Sequence, residues 1–126
     1  MQDKRTYPRV DVVIPALITE DRNHEEIPCT IKNISENGIC FEFDSDGGKY
    51  VNSLQKGDAI HFQFIDTYQF GSNIETDILS NDCTVRHIRI CGDMMIIGGY
   101  VTEEDFRQYA VRRELVSSIG RFRALA

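Results

Sequence analysis

The chain has 126 residues, 41% hydrophobic and 27% charged, with a net charge of −6 at pH 7. That length suits one domain with one core. The acidic balance disfavours generic binding to DNA, RNA or an anionic membrane surface, and no apolar run approaches the length of a bilayer span.

Met1-Gln2-Asp3-Lys4-Arg5 leads into no apolar segment. A signal peptide is therefore not expected, and the default location is the cytoplasm. Residues 1–9 are polar and basic, and they read as a mobile arm ahead of a domain over 10–126. Val10, Val12, Ile14, Ala16 and Ile18 then alternate, the period of a half-buried strand. Pro15 interrupts that run and predicts an edge or a bulge. A polar turn over 21–25 precedes a second strand over 27–34. The turn Ser35-Glu36-Asn37-Gly38 leads to a third strand, in which Ile39, Phe41 and Phe43 alternate with Cys40, Glu42 and Asp44.

Residues 44–48 read as an Asp/Gly loop, and 50–54 are ambiguous. Lys56-Gly57-Asp58 turns into a strand over 59–65. Residues 67–73 read as a loop and 74–79 as a weak strand. Segments 83–91 and 94–101 flank Gly92-Asp93, a strong hairpin signal. Thr102 is placed to cap a C-terminal helix, with Asp105 three residues on in a variant of the capping box. Phe106, Tyr109, Ala110, Val116 and Ile119 make its apolar stripe, interrupted by Arg113. Gly120 is expected to end or weaken it. Six or seven short strands followed by one helix predict a mainly β domain, an antiparallel barrel closed or nearly closed.

The chemistry-bearing signals are few. Cys29, Cys40, Cys83 and Cys91 form no C-x-x-C and read as reduced thiols. His24, His61 and His87 match no metal-ligand spacing. There is no nucleophile elbow, Walker loop or catalytic pair of carboxylates. An enzyme is not expected, nor a cofactor or metal.

Two motifs remain. Arg5 and Arg9 form an R-x-x-x-R pair directly before the first strand, and Asn33-Ile34-Ser35-Glu36-Asn37-Gly38 supplies N-x-S-x-x-G after the second. Each alone is weak, because the first occurs by chance and the second is an ordinary turn. Their order, with a strand between, is more specific. An arginine fork matches the O6/N7 edge of guanine, pairs with phosphate and stacks on purines. The Asn33 amide and Ser35 hydroxyl can meet a guanine's remaining polar edge.

In these residues the chain resembles the PilZ domain family over essentially its whole length. The resemblance implies a six-stranded antiparallel β-barrel with a C-terminal helix, and a receptor for cyclic di-GMP. Arg5, Arg9, Asn33, Ser35 and Gly38 match the family's ligand-binding positions. Lys4, just before the pair, is implied to influence whether one ligand or a stacked pair is held. Gly99, with Gly98, fits the family's small residue in a late strand. The implied role is an adaptor whose ligand-bound surface is read by an effector protein or neighbouring domain. The alternative is a PilZ-like interaction module that binds no nucleotide.

Overall fold

The computed structural model of the chain describes residues 8–20, 26–44 and 54–125; at 44 and 118–125 it describes the backbone alone. The 21–25 turn with His24, the loop over 45–48 and residues 50–53 lie outside the described residues.

Among the described residues six strands precede one helix: β1 (Val10–Glu20), β2 (Glu26–Ser35), β3 (Gly38–Asp44), β4 (Ala59–Phe70), β5 (Asn73–Cys91), β6 (Met94–Tyr100) and α1 (Glu104–Leu125). Every pairing is antiparallel. The alternating residues of β1 and β3 point inward as their period requires. Ile18, Ile31, Ile34, Phe41, Phe62, Val85 and Ile97 are fully buried, and Phe41 meets Phe62 at a centroid distance of 5.7 Å.

The expectation of a six-stranded antiparallel barrel, closed or nearly closed, needs correction. The strands follow the ring β1-β2-β3-β6-β5-β4, and β4 returns to β1. That last seam, however, is held only by Ala16–Glu20 against Ile60–Phe64. The half of β1 from Val10 to Pro15 has no ladder partner in β4, so the sheet is split along that stretch. Pro15 accounts for the limit, because it has no N–H to give and the ladder begins one residue after it. A bulge between Asp11 and Ile14 turns the same stretch away.

A second departure lies in β4 and β5. Residues 67–73 are not a loop. The two strands run on as a hairpin to a tight turn, with Phe70 paired to Asn73 and Gly71 at φ +65°. Their alternation is inverted there. Ile65, Ile74 and Ile78 are exposed, whereas Asp66 and Tyr68 face inward and are buried.

Helix α1 covers that polar inner face. It starts at Glu104, two residues beyond the expected cap Thr102, and continues through Gly120. Asp105 fastens its first turn by accepting from its neighbour Phe106 N–H (2.9 Å) and from the Asn81 amide (3.1 Å). Phe106, Tyr109 and Ala110 are buried, with Phe106 edge-on to Phe62 and Tyr109 edge-on to Phe64. Two arginines of the helix are bonded rather than simply solvated. Arg112 pairs with Asp77 at 2.8 Å, and Arg113 pairs with Asp66 at 3.0 Å while lying over the Tyr68 ring.

The cysteines are free thiols. Burial pushes Cys29 and Cys83 up to about 12, which keeps them unreactive.

Candidate functional site

The β2-β3 hairpin fixes the first wall of the site. Ser35 pairs with Gly38, leaving Glu36 and Asn37 as the turn. Val10 pairs with Ile34 and Asp11 with Asn33. The start of β1 is therefore beside Asn33 and Ser35. Arg9 is exposed there, one residue before the first ladder pair. Lys4 and Arg5 lie outside the described residues.

The turn is well fastened. Asn37 C=O accepts the Val101 N–H at 3.0 Å, and Glu36 is paired with Arg107 of α1 at 3.3 Å. Ser35 Oγ donates to Asn37 Oδ1 at 3.4 Å, a long bond that a ligand can displace at little cost. Gly38 is not among the glycines with positive φ, which are Gly57, Gly71 and Gly92 among the described residues. Its role is spatial, since a Cβ there would sit 3.0 Å from Ser35 Oγ and crowd the hydroxyl.

From this wall a concave trough of about 1380 Å³ runs across the outer face of β3, β6 and β5. Arg9, Asn33, Ser35, Gly38 and Cys40 line one side, Gly98, Gly99 and Tyr100 the floor, and Arg86, His87 and Arg89 the far side, with Lys56 at the margin. Among the described residues four permanent cations line it and no Asp or Glu does, although the whole chain carries a charge of −6. An anion entering this trough meets a local field opposite to that of the whole molecule. Cys40 lies half-buried between the cations. Burial raises its thiol, against the opposing pull of Arg9 and Arg89.

Sequence reasoning missed the far wall. Arg86 is the extra residue of a bulge, because Val85 pairs with Gly99 and His87 with Gly98. A bulge re-aims its side chain, and the Arg86 guanidinium lies over the Tyr100 ring, 4.8 Å from its centroid. Only the β3-β6-β5 adjacency brings these residues to Ser35, from about fifty positions away.

The two late glycines separate cleanly. A Cβ on Gly99 would fall 1.9 Å from Cys83 Sγ, inside the barrel, so Gly99 is required by packing. A Cβ on Gly98 would meet His87 at an ordinary 3.5 Å, on the trough side. The small residue that keeps the floor low is therefore Gly98. Gly99→Ala is expected to destabilise the fold by about 1–3 kcal/mol through overpacking. Adding Cys83→Ala should recover part of that loss, since the two side chains compete for one space. Gly98→Ala should melt like the unchanged protein. Denaturant melts of the three variants beside the unchanged protein check this, and equal losses at both glycines would refute the assignment of faces.

Comparison with known proteins agrees with this architecture. The chain is similar to the inhibitor of motility MotI/DgrA of Bacillus subtilis (TM-score 0.65, 22% identity), covering 90% of this chain and 53% of that one. It is similar to the PilZ domain of YcgR from Escherichia coli, solved with c-di-GMP (TM-score 0.65, 13% identity), over 97% of this chain and 98% of that one. Complete YcgR in complex with c-di-GMP matches at TM-score 0.59 and 13% identity, over 97% of this chain and 48% of that one. The chain thus spans about half the length of MotI/DgrA and of YcgR. At these identities the likeness establishes a shared fold. No curated protein matches the sequence. The sequence model of the PilZ domain matches residues 3–116, nearly the whole chain. On that match, and on the barrel, helix and paired motifs that accompany it, the chain belongs to the PilZ domain family.

Proposed function

We propose that this domain is a cyclic di-GMP receptor, and that Arg5 and Arg9 of the arm close over a ligand held against Asn33, Ser35 and Gly38. One observation carries the reading. Arg9, Asn33, Ser35 and Gly38 share one wall of a trough that is cationic and free of Asp and Glu among the described residues, and β1 begins at that wall. A bis-guanine dianion presents what those groups recognise: O6/N7 edges for arginine forks, phosphates for guanidinium pairs, and purine faces for stacking. Structures of related fold carry c-di-GMP in YcgR. Lys4 extends the basic arm by one residue and adds charge for a second, stacked ligand.

Binding then works as a switch. The ligand bridges the arm to the barrel, and any ordering this requires costs on the order of 2–5 kcal/mol of the gross interaction energy. The output is a composite surface of arm, ligand and barrel. An effector protein or neighbouring domain reads that surface.

Calorimetric titration with cyclic di-GMP, beside GTP and cyclic GMP, tests the reading. Saturable uptake of cyclic di-GMP alone is the expected result. No uptake at high micromolar ligand rejects it and leaves a PilZ-like interaction module without a nucleotide role.

A further inference from the structure

The trough has two cationic walls, and the family motifs occupy only one of them. The opposite wall is built from Arg86, Arg89 and His87 of β5, all exposed, with Tyr100 of β6. Among the described residues, no carboxylate pairs with Arg86 or Arg89. Arginines without a counter-ion among the described residues stand out in an acidic protein, because a net charge of −6 supplies many potential partners.

Arg86 is also pre-placed. The bulge between Val85 and His87 lifts it out of the ladder, and the Tyr100 ring braces its guanidinium at 4.8 Å. A cation held on one face of an aromatic ring keeps its other face free, together with its N–H edge. Held in this way, it loses less rotamer entropy on meeting a ligand than a free arginine does. Gly98 keeps the floor low between the two walls, paired with Cys40 on one side and His87 on the other.

We infer that Arg86, braced on Tyr100 and flanked by Arg89, is a second recognition group, which takes the purine and phosphate of the ligand half that faces away from the arm. This rests on the cyclic di-GMP reading above. It adds a contact on the far wall, so that the dinucleotide is gripped at both ends. Arg86 stacks on or forks to the guanine, and Arg89 meets the phosphodiester. Tyr100 acts as a positioning residue through Arg86.

Calorimetric titration of the full chain with cyclic di-GMP tests it, comparing the unchanged protein with Arg86→Ala, Arg86→Lys, Tyr100→Leu and Arg9→Ala. Arg86→Ala is expected to weaken binding about tenfold or more. Arg86→Lys should restore little, because a lysine keeps the charge and loses the planar fork. Tyr100→Leu should give a smaller loss. Arg86 is exposed, so melting should be unchanged in its variants. If the unchanged protein binds, Arg9→Ala is impaired and Arg86→Ala binds normally, the second wall is refuted and the receptor reading stands. Full rescue by Arg86→Lys refutes the planar role. Failure of the unchanged protein to bind overturns both.

Discussion

Arg9→Ala weakens cyclic di-GMP binding by one to two orders of magnitude while the melting curve stays where it was. The two halves of that expectation have separate causes. Arg9 is exposed and stands before the first ladder pair, so no packing or backbone pairing is lost with its side chain. Exposed substitutions away from caps and buried networks stay within about 0.5 kcal/mol. The affinity loss comes from one planar fork. A good bidentate contact to a guanine edge discriminates by about 1–3 kcal/mol, and each 1.4 kcal/mol is tenfold. Arg9→Lys should recover only part of the loss, because an ammonium attracts phosphate but cannot make two parallel hydrogen bonds. Arg5→Ala is expected to act in the same direction from within the arm. Calorimetry on Arg9→Ala and Arg9→Lys, with urea melts as the control, decides the matter. Unchanged affinity in Arg9→Ala would sink the clamp.

The near wall of the site was legible in the sequence because it is local. Asn33, Ser35 and Gly38 lie within six residues on a hairpin that its own alternation announces, and Arg9 directly precedes the strand that pairs with it. The far wall had no such signal. Arg86 gains its position from a bulge, and nothing in a run of residues such as Thr84-Val85-Arg86-His87 marks where the ladder slips. The glycine pair shows the same limit. A strand's faces alternate residue by residue, so the sequence alone cannot say whether Gly98 or Gly99 faces the barrel. Register supplies the answer by placing Gly99 against Cys83.

The barrel itself was legible wherever one face is apolar. It was not legible at the tip of the β4-β5 hairpin, where the inward face carries Asp66 and Tyr68 and the outward face carries Ile65 and Ile78. A reader of hydrophobic period sees a loop there, because the usual pattern is turned inside out. The interruption of the helix stripe by Arg113 was the matching clue. An arginine on the buried face of α1 and an aspartate on the inward face of β4 explain each other. The split seam between β1 and β4 was partly announced by Pro15, which marks where the second ladder must stop.

That inverted seat gives the second large expectation, which is that Asp66→Ala destabilises the fold by about 3 kcal/mol. Asp66 is 8% exposed; it accepts from the Tyr109 hydroxyl at 2.7 Å and meets Arg113 Nε at 3.0 Å. Burial and this carboxylate together hold the Tyr109 phenol well above its ordinary range, so it stays a neutral donor. Removing the carboxylate strands two groups at once, a buried hydroxyl and a guanidinium whose side chain is 16% exposed. Most of the cost is the penalty of those orphaned groups rather than the worth of the pair. A triple variant, Asp66→Ala with Arg113→Met and Tyr109→Phe, should therefore recover much of the stability that the single change loses. Urea melts of the single and triple variants measure both. A single variant within about 0.5 kcal/mol of the unchanged protein would show that the helix does not depend on this cluster. Among the described residues none of α1 lines the trough. Well below its melting point, Asp66→Ala should therefore still take up cyclic di-GMP with unchanged affinity, because Asp66, Tyr109 and Arg113 do not line the trough.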